Sequence, residues 1–135
     1  MDEDDAQRYF LSCPEARLDF PFGPDAYVFK VRDKMFGLLG WRGEQARINV
    51  KCDPGQALML RDIFPSVLPG YHMNKTHWNT VLLDGSVPPG EVERMIDMSY
   101  GLVVRKLKRA VRAGLEVQYG KENLYRGLAL LPPER

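Results

Sequence analysis

An α+β sandwich is what this sequence predicts, and three patterns predict it. Residues 27–31 and 47–51 alternate apolar and polar side chains, the period of two expected of a half-buried strand. These segments and residues 35–39 follow one another too closely for parallel crossovers, so the strands are expected to pair antiparallel. Residues 92–107 place Val92, Met95, Ile96, Ser99, Val103 and Leu107 at helical spacing, a stripe able to lie across a sheet.

The elements can be justified in chain order. Residues 3–12 read as a helix, because acids at its start favour the positive end of the helix dipole. Tyr9, Phe10 and Cys13 give that helix an apolar side, and Pro14 ends it. A first strand at Arg17–Phe20 closes in the Pro21–Asp25 turn. The next two strands flank Arg32-Asp33-Lys34, a link short enough for a hairpin. Asp53-Pro54 is a helix start, with a carboxylate to cap the first turn and proline in it. Ala57, Leu58, Leu60, Ile63 and Phe64 would form the buried side of that helix, which Pro65 and Pro69 end. Residues 78–83 form a further strand closed by Asp84-Gly85, and Pro88-Pro89 opens the last clear helix. Beyond it, Gly114, Gly120, Gly127 and Pro132-Pro133 interrupt the chain, so residues 110–135 read as a loosely packed extension of a domain spanning residues 1–109.

Composition narrows the function classes. With 135 residues, 44% hydrophobic and 27% charged, the chain has material for one core and does not match the profile of disorder. No apolar run approaches the ~20 residues of a membrane span, and Met1-Asp2-Glu3-Asp4-Asp5 is acidic where a secretory leader is basic. The expected location is cytoplasmic, with no membrane partner. Cys13 and Cys52 lack the number and spacing of a metal knuckle or disulfide framework, and read as small buried hydrophobes. The net charge of +1 argues against indiscriminate polyanion binding, but the acids of residues 2–5 mask a more basic remainder.

The densest chemistry lies between Gly70 and Thr80. Both histidines of the chain, His72 and His77, stand there with Tyr71, Asn74, Lys75, Trp78 and Asn79, and no acidic residue interrupts them. Cations and amide donors suit phosphates, and flat rings suit unpaired bases. The same residues equally suit a polar corner, with asparagines bonding turn backbone and aromatic rings in the core. A metal site lacks a third ligand, because no cysteine or carboxylate lies in the block. If the last helix continues past Leu107, Arg105, Lys108, Arg109 and Arg112 fall on one face, either as a phosphate-attracting stripe or as cations at a helix C-terminus. Lys30, Arg32 and Lys34 surround the hairpin tip, which reads as a wing on duplex DNA or as a solvated turn. There is no glycine-rich phosphate loop or nucleophile elbow, and Cys52 with His72 or His77 is the one pairing left for nucleophilic chemistry. No catalytic residue, cofactor or metal is assigned.

Several segments resemble the MmcQ/YjbR family of small bacterial proteins. They are residues 19–25, 29–31, 34–36 and 50–54, then Pro69-Gly70-Tyr71-His72-Met73-Asn74-Lys75, His77-Trp78-Asn79-Thr80-Val81, residues 83–88 and residues 99–103. The resemblance covers about residues 5–108. It implies a frataxin-like (CyaY-like) fold: an antiparallel sheet of about five to six strands with helices on one face. It also brings a DNA-binding label and no established catalytic residue. The expectation is therefore a non-enzymatic protein that binds nucleic acid, DNA in the family's labelling, through Lys75, His77, Trp78 and Asn79. Tyr71, His72 and Asn74 would support that contact, and Arg105, Lys108 and Arg109 would add charge. The alternatives are a protein-interaction module and a small-ligand or resistance protein with an apolar pocket.

Overall fold

The computed structural model describes residues 1–129 and Leu131. Helix α1 (Glu3–Ser12) starts with a reciprocal cap: the Asp2 carboxylate accepts from the Asp5 amide at 2.8 Å, and the Asp5 carboxylate accepts from the Asp2 amide at 3.2 Å. The acidic N-terminus thus acts as a helix start. Phe10 and Cys13 are buried on its inner side.

Six strands follow: β1 (Arg17–Asp19), β2 (Tyr27–Val31), β3 (Lys34–Arg42), β4 (Gln45–Lys51), β5 (Val67–Pro69) and β6 (Trp78–Leu82). They form one sheet in the order β1-β2-β3-β4-β6-β5, with every neighbouring pair antiparallel. The β2–β3 hairpin turns on Arg32 and Asp33, both at positive φ (48° and 65°), as expected of a turn that matches strand twist. Two of its three cations are paired, Arg32 with Glu15 at 2.7 Å and Lys30 with Asp19 at 2.8 Å, Lys34 is exposed, and Arg17 reaches Asp33 at 3.2 Å. The tip is an ion-pair cluster joined to the α1–β1 region, which leaves little of the basic wing.

Helices α1 and α3 (Pro89–Val104) cover one face of the sheet. Phe29, Val31, Phe36, Ile48, Val50 and Val81 meet Val92, Met95, Ile96, Ser99 and Val103 in the shared core, the stripe expected of that helix. Phe10 stacks on Phe29 at 4.3 Å, and its ring lies where a side chain on Gly37 would stand: a Cβ there would be 2.1 Å from the ring. Glycine at this strand position lets α1 sit down on the sheet.

Three expectations are corrected. In α2 (Pro54–Ile63) only Ala57 is fully buried, while Leu58 is 65% and Ile63 56% exposed. The helix lies at the β5 edge, and among the described residues no layer covers its outer apolar side. Second, α3 ends at Val104 and the chain turns before α4 (Arg109–Tyr119), so Arg105, Lys108, Arg109 and Arg112 do not share one continuous helix face. Third, residues 110–135 are not a loose extension through their described part. They hold α4, α5 (Lys121–Tyr125) and a 3-10 turn at Arg126–Leu128, and Leu115 and Leu124 are fully buried in the same core. The turn docks so closely on α3 that a Cβ on Gly127 would lie 2.2 Å from the Met98 amide nitrogen. Tyr9 donates to Asp97 at 2.9 Å and Arg126 pairs with it at 3.3 Å, tying α1, α3 and this turn together. Pro132-Pro133 lies outside the described residues.

Candidate nucleic-acid interface

The corner between β5 and β6 carries the predicted site, and strand alternation divides it. Asn79 and Val81 turn toward the helix layer, whereas Thr80 turns to the opposite face and bonds Asn49 at 2.6 Å. Asn79 is 1% exposed, so it is not available to a ligand. Its carbonyl oxygen accepts from Arg61 Nε at 2.7 Å and its amide donates to the Ala57 carbonyl at 3.4 Å. Arg61 also donates to the carbonyls of Lys75 and Trp78, and so clasps the 75–79 segment to α2. Sequence reading missed Arg61 because nothing in its helical spacing reveals a partner 18 residues away.

Trp78 is half-buried, pairs with Lys51 across the β4–β6 ladder and packs on Gly70. Asn74 accepts from the Thr76 amide at 2.9 Å, a turn-fixing role, and its residue remains exposed. Lys75 and His77 are exposed. Among the described residues, neither histidine ring makes a hydrogen bond, although the Tyr71 and His72 rings lie 4.0 Å apart.

His77 does meet the basic helix end. A cleft of about 250 Å³ is lined by Lys51, Cys52, Asp53, His77, Arg105 and Lys106, with Pro54 and Leu102 beside them. Four basic side chains thus converge from the end of β4, the β5–β6 corner and the turn after α3. The ammonium of Lys51 is held below the usual lysine range, first by burial and then by Lys106 and Arg105. Asp53 is the carboxylate in this lining, and it caps α2 through the Gln56 amide at 3.2 Å. Lys108 and Arg109 are exposed where α4 begins, and Arg112 reaches back to the Arg105 carbonyl at 3.1 Å. Lys51 was legible only as the polar end of an alternating strand.

Tyr71 and His72 belong to a different cleft, on the sheet face away from the helices, with Arg47, Asn49 and Trp41. The predicted surface is therefore two surfaces. Cys52 does not supply a reactive thiol: its Sγ lies 3.6 Å from Met98 Sδ, and burial, then Asp53, push its pKa up to about 12. Cys13 is likewise pushed up to about 12 by burial. Among the described residues no three His, Cys, Asp or Glu side chains gather as a metal site, and no helix is long and apolar enough to cross a membrane.

Comparison with known proteins fits this architecture. The crystal structure of protein DR2400 from Deinococcus radiodurans, a DUF419 domain, superposes with a TM-score of 0.76 at 36% identity, covering 83% of this chain and 86% of that one. A Pseudomonas syringae crystal structure gives 0.67 at 31% identity, covering 76% and 98%. Among curated relatives, YbdF of Escherichia coli O157:H7 is 38% identical over 104 residues, 77% of this chain and 85% of YbdF. YjbR of Escherichia coli K12 is 31% identical over 105 residues, 78% and 89% of the two chains. None of these relatives carries a name that assigns an activity. The YjbR sequence model matches residues 11–102, from the end of α1 to the last turns of α3, and with relatives this similar over most of their length the chain belongs to the YjbR family.

Proposed function

We propose that this protein binds nucleic acid through the basic cleft at the end of β4. The observation that carries the reading is the convergence of Lys51, His77, Arg105 and Lys106 around one cleft, beside exposed Lys75, Lys108 and Arg109. These groups offer charge and N–H donors suited to a phosphate backbone. Binding of this kind is salt-sensitive and weakly sequence-specific, because these groups suit phosphates, which carry no sequence information.

Fluorescence anisotropy with labelled single- and double-stranded oligonucleotides at two salt concentrations tests this. The expected result is binding at low salt that falls steeply as salt rises. A Lys51→Ala/Lys106→Ala variant should reduce the slope of log affinity against log salt by about two. Flat curves at low salt would end the proposal.

The exposed Leu58, Met59 and Ile63 on α2 favour a second reading, a protein-interaction surface. A Leu58→Asp/Ile63→Asp variant that loses a co-purifying protein, in a chain that never bound oligonucleotides, would select it.

A further inference from the structure

The sheet face away from α1 and α3 is not flat. A cleft of about 420 Å³ opens on it, within the range of small-molecule sites. Its floor and one wall are Met35, Leu38 and Trp41, with Phe22 at the rim; Tyr71, His72 and Met73 form the facing wall. Trp41 is held edge-on by Tyr27 at 5.5 Å, and Tyr27 in turn by Phe20 at 5.0 Å. The facing wall is held by a closed polar network. Asn49 donates to the Tyr71 carbonyl at 3.1 Å, the Tyr71 amide donates to Thr80 Oγ at 2.9 Å, and Thr80 Oγ donates to Asn49 Oδ1 at 2.6 Å. Beside that network His72 holds a φ of 59°, in the left-handed region where a non-glycine residue pays a conformational cost that functional sites often retain.

The cation in this cleft rests on a ring and not on a carboxylate. Arg47 places its guanidinium carbon 4.3 Å from the Tyr71 ring centroid and has no carboxylate partner among the described residues. Asp25 lines the same cleft without pairing to it. An aromatic lining takes a flat ring, and a planar guanidinium takes a carboxylate through two parallel hydrogen bonds. With Asp25 in the same lining, Arg47 can offset one added negative charge at most, which disfavours a polyanion. We propose that this cleft is a binding site for a small planar aromatic monoanion, an aryl carboxylate, with its ring against Trp41 and its carboxylate on Arg47, which Tyr71 holds from behind. The site rests on different residues from the basic cleft and stands or falls separately from it.

The two tryptophans provide the test, since Trp41 lines this cleft and Trp78 does not. Uniformly nitrogen-15-labelled full-length protein is titrated with 2-naphthoate and, separately, with its neutral counterpart 2-naphthamide, and both indole N–H resonances are followed. The expected result is a saturable shift of the Trp41 indole with naphthoate while Trp78 stays in place. Naphthamide should bind about tenfold more weakly, as should naphthoate to Arg47→Gln, the loss expected when a charged hydrogen-bonded pair is removed. Lys51→Ala should leave the naphthoate titration unchanged. Equal affinity for naphthoate and naphthamide, no saturable shift at Trp41, or equal shifts at both indoles would overturn the site. So would displacement of naphthoate by a single-stranded oligonucleotide, which would give the cleft to a nucleobase. The acid–amide comparison uses the unmodified chain, so the outcome does not depend on how Arg47→Gln folds.

Discussion

The two halves of the β5–β6 corner look alike as sequence and behave differently as structure. Residues 71–73 face the open side of the sheet, where rings, one guanidinium and Asp25 line an aromatic cleft. Residue 77 faces the other way along the chain's path, into a cleft where Lys51, Arg105 and Lys106 outnumber Asp53. Between them β6 enters the sheet, and there Asn79 and Thr80 are buried and fully engaged. A short run rich in binding-type side chains therefore need not be one site. Its members are sorted by strand alternation and by where the strand begins.

This contrast can be broken at the buried point first. Asn79→Ala should cost about 2 kcal/mol in chemical denaturation, because it strands a hydrogen-bonded Arg61 and an amide site in the interior. A change near zero would return Asn79 to the surface and reunite the halves. A smaller effect is expected at the far end of β6. There Ser66, then Ser86, hydrogen-bond the Asp84 carboxylate and hold its pKa down to about 2. The folded carboxylate is thus a weaker base than the unfolded one. Its contribution is complete above the ordinary value of 3.8 and is lost as pH falls toward about 2. Ser66→Ala should flatten that acid loss in pH-dependent unfolding, and curves parallel to the parent would remove the assignment. Asp97, raised by burial, runs in the opposite sense, so the difference between variant and parent is the quantity to compare. The smallest stability change belongs to the exposed side: Tyr71→Ala should move stability by less than about 0.5 kcal/mol, while weakening any ligand of the aromatic cleft. A larger loss would mean that the ring supports the corner.

Much of the fold was legible because its periodicities are strong. The alternation in 27–31 and 47–51 and the stripe in α3 each correspond to one buried face. The three-residue strand β5 was not legible, since Pro65 and Pro69 bracket it and read as breakers. Helices α4 and α5 were hidden by glycines at 114, 120 and 127, although Leu115 and Leu124 anchor them in the core. For α2, spacing identified an apolar side but could not say whether another layer lies opposite it, and none covers Leu58 or Ile63. At the candidate site, residue type located the corner correctly, but Arg47, Lys51 and Arg61 are brought in by pairing across β3, β4 and α2. Their roles depend on contacts remote in sequence.

The docking of Gly127 against Met98 has a practical side for anyone cutting this chain for expression. The YjbR match stops at residue 102, yet the back of α3 is sealed by what comes afterwards. A fragment trimmed to the matched segment would leave that greasy surface wet, and the stretch after it is as much a lid on the core as the first helix is.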